Sequence, residues 1–251
     1  MAGDATHHWI VVLDIENFSS RRDPVQRRVR AAMYRVLGGA MERAELAAAD
    51  TVAEDRGDGV LMLVSSSVSP VLIAGPFVRE LDEELREYAQ EANEDHAVRL
   101  RMALHQGLAA RDEKGWSGDA VNTASRIVDA QPLRDVLAAA PSARMVFAVS
   151  DEIHHSVIRH SHRGIDPAAY LPCDFTTKHG EKIGTWITVP GYAAPPGLPA
   201  TPPTVADAPY DEQSPAAPGQ PSVTQHAQTV QGDQVAGDKH VTVHNTGSVR
   251  L

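Results

Sequence analysis

The sequence predicts an α+β domain in which helices lie on one face of a mostly antiparallel sheet. Short apolar runs with the length of buried strands recur through the first 190 residues. Segments with apolar residues at helical spacing separate these runs. A glycine-flanked turn at residues 55–59 is typical of a β-hairpin, which joins antiparallel neighbours.

The predicted elements alternate along the chain. Residues 9–13 (WIVVL) form the first predicted strand, and Asp23 with Pro24 provides the N-cap and first-turn proline of a helix. The apolar face of that helix comprises Val25, Val29, Met33 and Val36. The later elements are a strand at 60–64, a helix marked by Leu81, Leu85 and Tyr88, a strand at 98–104, a helix at 118–130, and strands at 146–149 and 185–189.

The amino-acid composition changes near Pro190. Ten of the 17 prolines lie between Pro190 and Pro221, in a segment that cannot bury enough apolar surface to fold. We therefore predict a domain at 1–190, a proline-rich linker at 191–221 and a Gly-Asp repeat tail at 222–251. The tail could pair as strands with another protein chain or stay disordered, and disorder is the interpretation we favour.

Charge and hydropathy exclude several classes of function. The net charge of −10 argues against general binding to nucleic acids or anionic membranes, because both would repel the protein. It still allows a local group of cations to bind the phosphates of a nucleotide. The N-terminus MAGDATHH lacks a signal-peptide pattern, and the apolar stretch at 60–78 is interrupted by serines and prolines. We expect a cytoplasmic protein with no nucleic-acid or membrane partner.

Two aspartates are candidate metal ligands. Asp14 follows the first predicted strand, and Asp58 lies in the glycine-flanked hairpin, so neighbouring strands would bring both carboxylates to one sheet edge. Paired carboxylates suit Mg²⁺ when substrate phosphates complete its coordination shell. Taken alone, each aspartate is more typical of an ordinary turn.

Asn122 and Arg126 form a second candidate pair. They are four residues apart on the predicted helix and so share a face that Val121 and Val128 do not occupy. A guanidinium can stabilise charge on a reacting phosphorus, and an amide can orient a ribose. An isolated pair of this kind is also typical of a solvated helix face.

Four segments resemble, in this order, the motif blocks of class III nucleotidyl cyclases, the catalytic domains of adenylate and guanylate cyclases. They are LDIENFS, EDRGDGVLML, LRMALHQG and GDAVNTASRIVDA. Each block is weak alone, but four in order at plausible spacing are difficult to attribute to chance. The resemblance covers residues 7–190 and implies the ferredoxin-like, palm-type fold of that family.

The resemblance implies a metal site at the first candidate pair. Asp14 and Asp58 match the family's two metal aspartates, and the backbone carbonyl of Ile15 would be a further ligand. Two Mg²⁺ or Mn²⁺ ions per site would activate the ribose hydroxyl and stabilise the leaving pyrophosphate. Arg101 matches a strand arginine that contacts the triphosphate of the substrate.

The resemblance also implies a role for the second pair and for a late lysine. Asn122 and Arg126 match residues that position the ribose and stabilise the transition state, and Lys178 resembles a lysine that binds the same phosphates. In the family these residues come from the partner of the subunit that provides the aspartates. We therefore expect a homodimer that binds a nucleoside triphosphate.

The base-reading positions depart from those of adenylate cyclases. Glu54 stands where those enzymes have a lysine, and Gly115 replaces their second base contact. A carboxylate accepts hydrogen bonds and cannot donate one to N1 of adenine, so ATP is disfavoured. GTP, CTP and UTP all offer a suitable N–H, and the choice among them stays open.

The leading hypothesis is conversion of a nucleoside triphosphate to a 3′,5′-cyclic nucleotide and pyrophosphate. Three features also resemble an actinobacterial subgroup of cyclase-like proteins. They are the RGDG hairpin, the DPAAY segment and the late Lys-to-Trp strand in TTKHGEKIGTW. Some bacterial homologues make cyclic pyrimidine nucleotides as antiviral signals, which extends the hypothesis to signalling or antiviral defence. The alternative is an inactive cyclase-like module that binds nucleotide and signals through its C-terminal tail, which would dock a protein partner.

Overall fold

The computed structural model describes residues 4–178 and 180–199. The strands are β1 (Thr6–Ile15), β2 (Thr51–Asp55), β3 (Gly59–Ser65), β4 (Leu100–Asp112), β5 (Gly115–Ser117), β6 (Met145–Ser150), β7 (Leu171–Pro172), β8 (Phe175–Thr176), β9 (Lys182–Ile183) and β10 (Thr185–Thr188). The α-helices are α1 (Asp23–Arg43), α2 (Pro70–Leu72), α3 (Val78–Glu91), α4 (Asp119–Val128), α5 (Gln131–Ala139) and α6 (Asp151–Ser156).

The main sheet has the strand order β2-β3-β1-β4-β6-β10-β7, and β5 pairs with the far end of β4. Its neighbouring strands are antiparallel except β4 and β6, which run parallel. The long apolar strand β1 lies between β3 and β4, where both of its faces are buried. The prediction of an α+β domain with a mostly antiparallel sheet is confirmed.

Helices cover both faces of this sheet, so the prediction of helices on one face is wrong in that respect. Val11, Leu13 and Ile15 of β1 pack in a core with α1 and α3. Ile10 and Val12, on the opposite face, pack in a second core with α4 and α5. Successive side chains of a strand point to opposite faces, so a continuously apolar strand requires a cover on each side.

Residues 191–199, the first part of the predicted linker, lie on the domain. Tyr192 and Leu198 pack against the second core, and the Tyr192 hydroxyl is 2.6 Å from Oγ of Ser142. The remainder of the linker and the repeat tail lie outside the described residues, so the division at residue 190 stays a prediction. None of the helices formed by residues 4–178 and 180–199 has both the length and the apolar character needed to cross a membrane.

Candidate active site

Strand pairing brings the first group of candidate residues to one end of the sheet. Asp14 lies opposite Gly59 of β3 and opposite Arg101 of β4. The backbone N–H of Ile15 donates to the Asp58 carbonyl at 2.9 Å, so the hairpin that carries Asp58 is tied to the end of β1. We call these residues, Asp14, Ile15, Asp58 and Arg101, the acidic edge.

The local sequence of the β2–β3 hairpin explains its shape. Gly57 has a φ of +85°, in the left-handed region that glycine adopts without strain, and its N–H donates to Oδ1 of Asp55 at 2.8 Å. At Gly59 a Cβ atom would overlap the carbonyl oxygen of Leu13. Only glycine therefore allows β3 to approach β1 closely at Asp14.

Burial and neighbouring charges raise the pKa of Asp14 to about 6. Removal of the carboxyl group from water is the largest cause, because burial disfavours the charged form. Arg101 opposes the shift, and the negative charge of Asp58 adds to it. The two carboxylates are therefore close enough to repel each other, and the acidic edge stores unfavourable electrostatic energy.

Arg101 is buried and pairs with Asp14 through Nη2 and Oδ2. Its Nε has no hydrogen-bond partner among the described residues. Arg101 thus lies beside Asp14 at the acidic edge, and in this structure its guanidinium orients the Asp14 carboxylate. Contact of Arg101 with a triphosphate stays a prediction.

The donor set at the acidic edge fits a divalent cation such as Mg²⁺ or Mn²⁺. Such ions prefer oxygen ligands and need few protein carboxylates when substrate phosphates contribute. No described residue donates a hydrogen bond to Oδ1 of Asp14, and a cation there would relieve the repulsion between Asp14 and Asp58. Among residues 4–178 and 180–199 no cluster of three or more His, Cys, Asp or Glu ligands forms, so a cation would need further oxygens.

The second group of candidate residues lines a cleft of about 700 Å³ between α4 and the β8–β9 hairpin. Asn122 and Arg126 project from α4 into it, and Lys178 enters from the turn of the hairpin. Val121 and Val128 are buried on the other side of α4, as predicted. We call this cleft, lined by Asn122, Ser125, Arg126, Asp129, Ala130, Gln131, Phe175, Thr176, Thr177 and Lys178, the cationic cleft.

An acidic residue that the sequence analysis did not identify contacts the cationic cleft. Oε2 of Glu181 lies 2.5 Å from Nη1 of Arg126. Glu181 is three residues after Lys178 in the same hairpin. Only the fold reveals the pair, because Arg126 and Glu181 are 55 residues apart in the chain.

Within one chain the acidic edge and the cationic cleft adjoin but do not merge. Asp129, at the rim of the cleft, is near enough to Asp14 for its charge to raise the pKa of Asp14 further. Asp14 and Asp58 are not among the residues that line the cleft. One chain therefore presents two separate groups of the predicted site residues.

The two predicted base-reading positions adjoin each other. A Cβ atom at Gly115 would lie 3.1 and 3.2 Å from the two carboxylate oxygens of Glu54. Oε2 of Glu54 also pairs with Nη2 of Arg56 at 3.2 Å, a contact that the sequence analysis missed. Next to Gly115, the indole N–H of Trp116 is buried without a partner among the described residues. The carboxylate thus occupies the space that a side chain at position 115 would take.

Several solved structures with the same fold are nucleotide cyclases. An adenylate/guanylate cyclase/hydrolase from Silicibacter pomeroyi is 16% identical, with a TM-score of 0.54 over 76% of this chain and 99% of that one. The guanylyl cyclase Cya2 is also 16% identical, with a TM-score of 0.53 over 75% and 94% of the two chains. The guanylate cyclase domain of RhGC from Catenaria anguillulae, solved in complex with GTP, is 16% identical, with a TM-score of 0.50 over 74% and 98%.

These likenesses establish the fold. The chain has the class III cyclase catalytic-domain fold, as its four sequence motifs predicted. No protein-family model matches the chain, and no curated protein matches it in sequence.

Proposed function

We propose that the protein is a nucleotidyl cyclase that converts a nucleoside triphosphate to a 3′,5′-cyclic nucleotide and pyrophosphate. One observation carries the proposal: Asn122, Arg126 and Lys178, predicted as one functional group, line a single cleft in a domain with the cyclase fold. Lys178 is more than 50 residues from Asn122 in the chain, so the sequence does not require the two to line the same cleft. A cleft with two cations and an amide suits a polyphosphate attached to a ribose.

The proposed site forms between two copies of the chain. The acidic edge of one protomer would face the cationic cleft of its partner, because Asp14 and Asp58 lie in the first region and Asn122, Arg126 and Lys178 line the second. A two-fold symmetric dimer would then hold two equivalent sites. The catalytic effect would come from positioning of the ribose 3′-hydroxyl in line with the α-phosphorus and from stabilisation of charge by Arg126.

Asp14 and Asp58, with the carbonyl of Ile15, would hold two divalent ions per site. When bound, such ions lower the pKa of a coordinated hydroxyl and neutralise a departing pyrophosphate. The chain itself contributes the orientation of these ligands. Arg101 sets the position of the Asp14 carboxylate, and the bond between Ile15 and Asp58 sets the position of the hairpin.

For the base, the proposal favours GTP or a pyrimidine triphosphate over ATP. Arg56 engages Oε2 of Glu54, and no described residue donates to Oε1, which can accept an N–H from guanine, cytosine or uracil. The space beside Gly115 is already taken by this carboxylate, so one side chain would serve both base-reading positions.

The wider biological setting belongs to the proposal as well. The substrate would come from the nucleoside triphosphates of the cytoplasm. The protein would belong to an actinobacterial subgroup of cyclase-like proteins, and its product would serve bacterial signalling or antiviral defence. The alternative function is a nucleotide-binding module without turnover. The departures at Glu54 and Gly115 favour that alternative, because they remove the usual adenine contacts.

One experiment separates the two functions. Purified protein is incubated with each of the four nucleoside triphosphates and Mn²⁺, and the products are identified by mass. The enzyme hypothesis predicts cyclic product that disappears in Asp58→Ala and persists in the control Asp50→Ala, which removes a carboxylate before β2. Tight triphosphate binding without product from any base would favour the binding module.

A further inference from the structure

The Arg126 guanidinium is already engaged by a carboxylate of its own chain. Nη1 of Arg126 lies 2.5 Å from Oε2 of Glu181, which belongs to the hairpin that carries Lys178. The two side chains are 33% and 46% exposed, so the ion pair is accessible to a ligand that enters the cationic cleft.

The hairpin holds the backbone of Glu181 in place. The N–H of Thr177 donates to the Glu181 carbonyl at 2.8 Å, and the N–H of Glu181 donates to Oγ1 of Thr177 at 3.2 Å. Strands β8 and β9 pair on either side of this turn. The Glu181 side chain can therefore rotate away from Arg126 while its backbone and the turn keep their positions.

A carboxylate and a phosphate compete for the same face of a guanidinium. Arginine binds both through parallel N–H donors, so the two ligands exclude each other at one edge of the group. The other carboxylate of the cleft, Asp129, pairs with Arg134 at 3.2 Å. Glu181 is therefore the carboxylate that a phosphate bound at Nη1 of Arg126 would displace.

We propose that the Glu181 carboxylate occupies the position on Arg126 that a phosphate of the substrate later takes. It orients Arg126 before substrate binds, and the polyphosphate displaces it. Glu181 is thus a positioning residue that lowers the affinity of the cleft for polyphosphate and contributes nothing once the substrate is bound. The identity of the natural ligand rests on the proposed function. The competition with Glu181 for Arg126 requires only a polyphosphate.

The size of the effect follows from the exposure of the pair. Partly exposed ion pairs are weak, so the displacement costs only a modest factor in affinity. We expect Glu181→Gln to bind polyphosphate about threefold more tightly than the native chain. In turnover, KM should fall by a similar factor while kcat stays within about twofold, because the bound state no longer contains the Arg126–Glu181 pair.

The test is calorimetric titration of the full chain with inorganic tripolyphosphate. Asp174→Asn is the matched control, because Asp174 pairs with Lys182 at 2.9 Å next to the same hairpin and its loss changes the net charge equally. Glu181→Gln and a second variant, Glu181→Ala, should both bind more tightly than Asp174→Asn. In an Arg126→Ala background the gain from Glu181→Gln should disappear.

Three results would overturn the proposal: no tightening in either Glu181 variant, an equal gain in Asp174→Asn, or a gain that persists without Arg126. Thermal unfolding of each variant verifies that it is folded. The titration is independent of turnover. Failure to form cyclic product from any triphosphate would therefore refute the proposed function and leave the result for Glu181 readable.

Discussion

The acidic edge and the cationic cleft differ in how the fold holds them. At the acidic edge, Asp14 is the penultimate residue of the inner strand β1, paired with a neighbouring strand on each side and half-buried. In the cationic cleft, Asn122 and Lys178 are exposed and project from a helix and from a short hairpin. Asp14, Ile15 and Arg101 are thus held within the sheet, with Asp58 exposed in the adjoining hairpin, whereas Asn122 and Lys178 lie on the surface of the domain.

In the proposed function, this difference would separate the positioning of metal ligands from the stabilisation of charge. Carboxylates that repel each other need a rigid frame, which β1 supplies for Asp14 and the hydrogen bond from Ile15 to the Asp58 carbonyl supplies for the hairpin. In our proposal Arg126 exchanges its carboxylate partner for a phosphate, which the exposure of the Arg126–Glu181 pair allows. If the two regions act across a dimer interface, loss of either should stop catalysis. A chain that lacks one region should then regain activity in a dimer with a chain that retains it.

The largest expected effect comes from a mixture of two inactive variants. Asp58→Ala and Arg126→Ala should each reduce cyclase activity by about 10³-fold. After subunit exchange, an equal mixture should regain about one quarter of native activity, because half of the dimers are mixed and each keeps one intact site of two. Activity is measured as cyclic product per total protein.

The controls for this mixture are the two variants alone, carried through the same exchange. Analytical ultracentrifugation of differently labelled variants verifies that mixed dimers form. Mixed dimers without any recovered activity would mean that the acidic edge and the cationic cleft of the same chain act together, and the comparison of two complementary regions would be wrong.

The next effect is on kcat alone. Arg126→Lys keeps the positive charge but loses the planar pair of donors, so kcat should fall about 10²-fold while KM changes little. Arg159→Ala, which removes a guanidinium that contacts His155 and lies outside the cleft, is the control and should leave both constants unchanged. An increase in KM at constant kcat would instead mean that Arg126 binds phosphate but does not stabilise the transition state.

A pair of glycine substitutions compares the rigidity of the two regions. Gly59→Ala forces a Cβ onto the Leu13 carbonyl and should destabilise the fold by about 2–4 kcal/mol. Gly180→Ala, in the cleft hairpin, meets no atom within 4 Å and bears only the strain of its φ of +82°, about 1 kcal/mol. Denaturant unfolding measures both. Equal losses would contradict the contrast between a core edge and a surface cleft.

The smallest effect is a pH dependence of stability. The folded-state pKa of Asp14, about 6, lies above its ordinary value of 3.8, so the unfolded chain loses this proton first as pH rises. The contribution of Asp14 to the free energy of unfolding should therefore decrease between about pH 4 and pH 6, by roughly 1–2 kcal/mol.

The measurement compares native protein with Asp14→Asn without metal ions, by denaturant unfolding at several pH values. The variant should gain stability relative to the native chain as pH rises through this window, whatever its constant offset from the loss of the Arg101 pair. The exposed carboxylate variant Asp174→Asn provides the reference. A flat difference for Asp14→Asn across the window would show that Asp14 is not held in a desolvated, repulsive environment.

Local patterns in the sequence determined the elements that carry the site. The run at 9–13 lies in β1, and the helix predicted at 118–130 is α4, because strand and helix periodicities are properties of neighbouring residues. The face shared by Asn122 and Arg126 followed from helical geometry alone. Local sequence patterns also predicted the fold class and the order of the four motifs.

The tertiary structure alone decided which of these residues meet. The short helix α5 (Gln131–Ala139) and the second core were not predicted. The periodicity of a helix of this length does not show which face of the sheet it covers. The pairs Asp14–Arg101 and Arg126–Glu181, and the approach of Glu54 to Gly115, each join distant parts of the chain. Such contacts depend on strand register and on the path of loops, which arise from the packing of the whole domain and not from any local pattern.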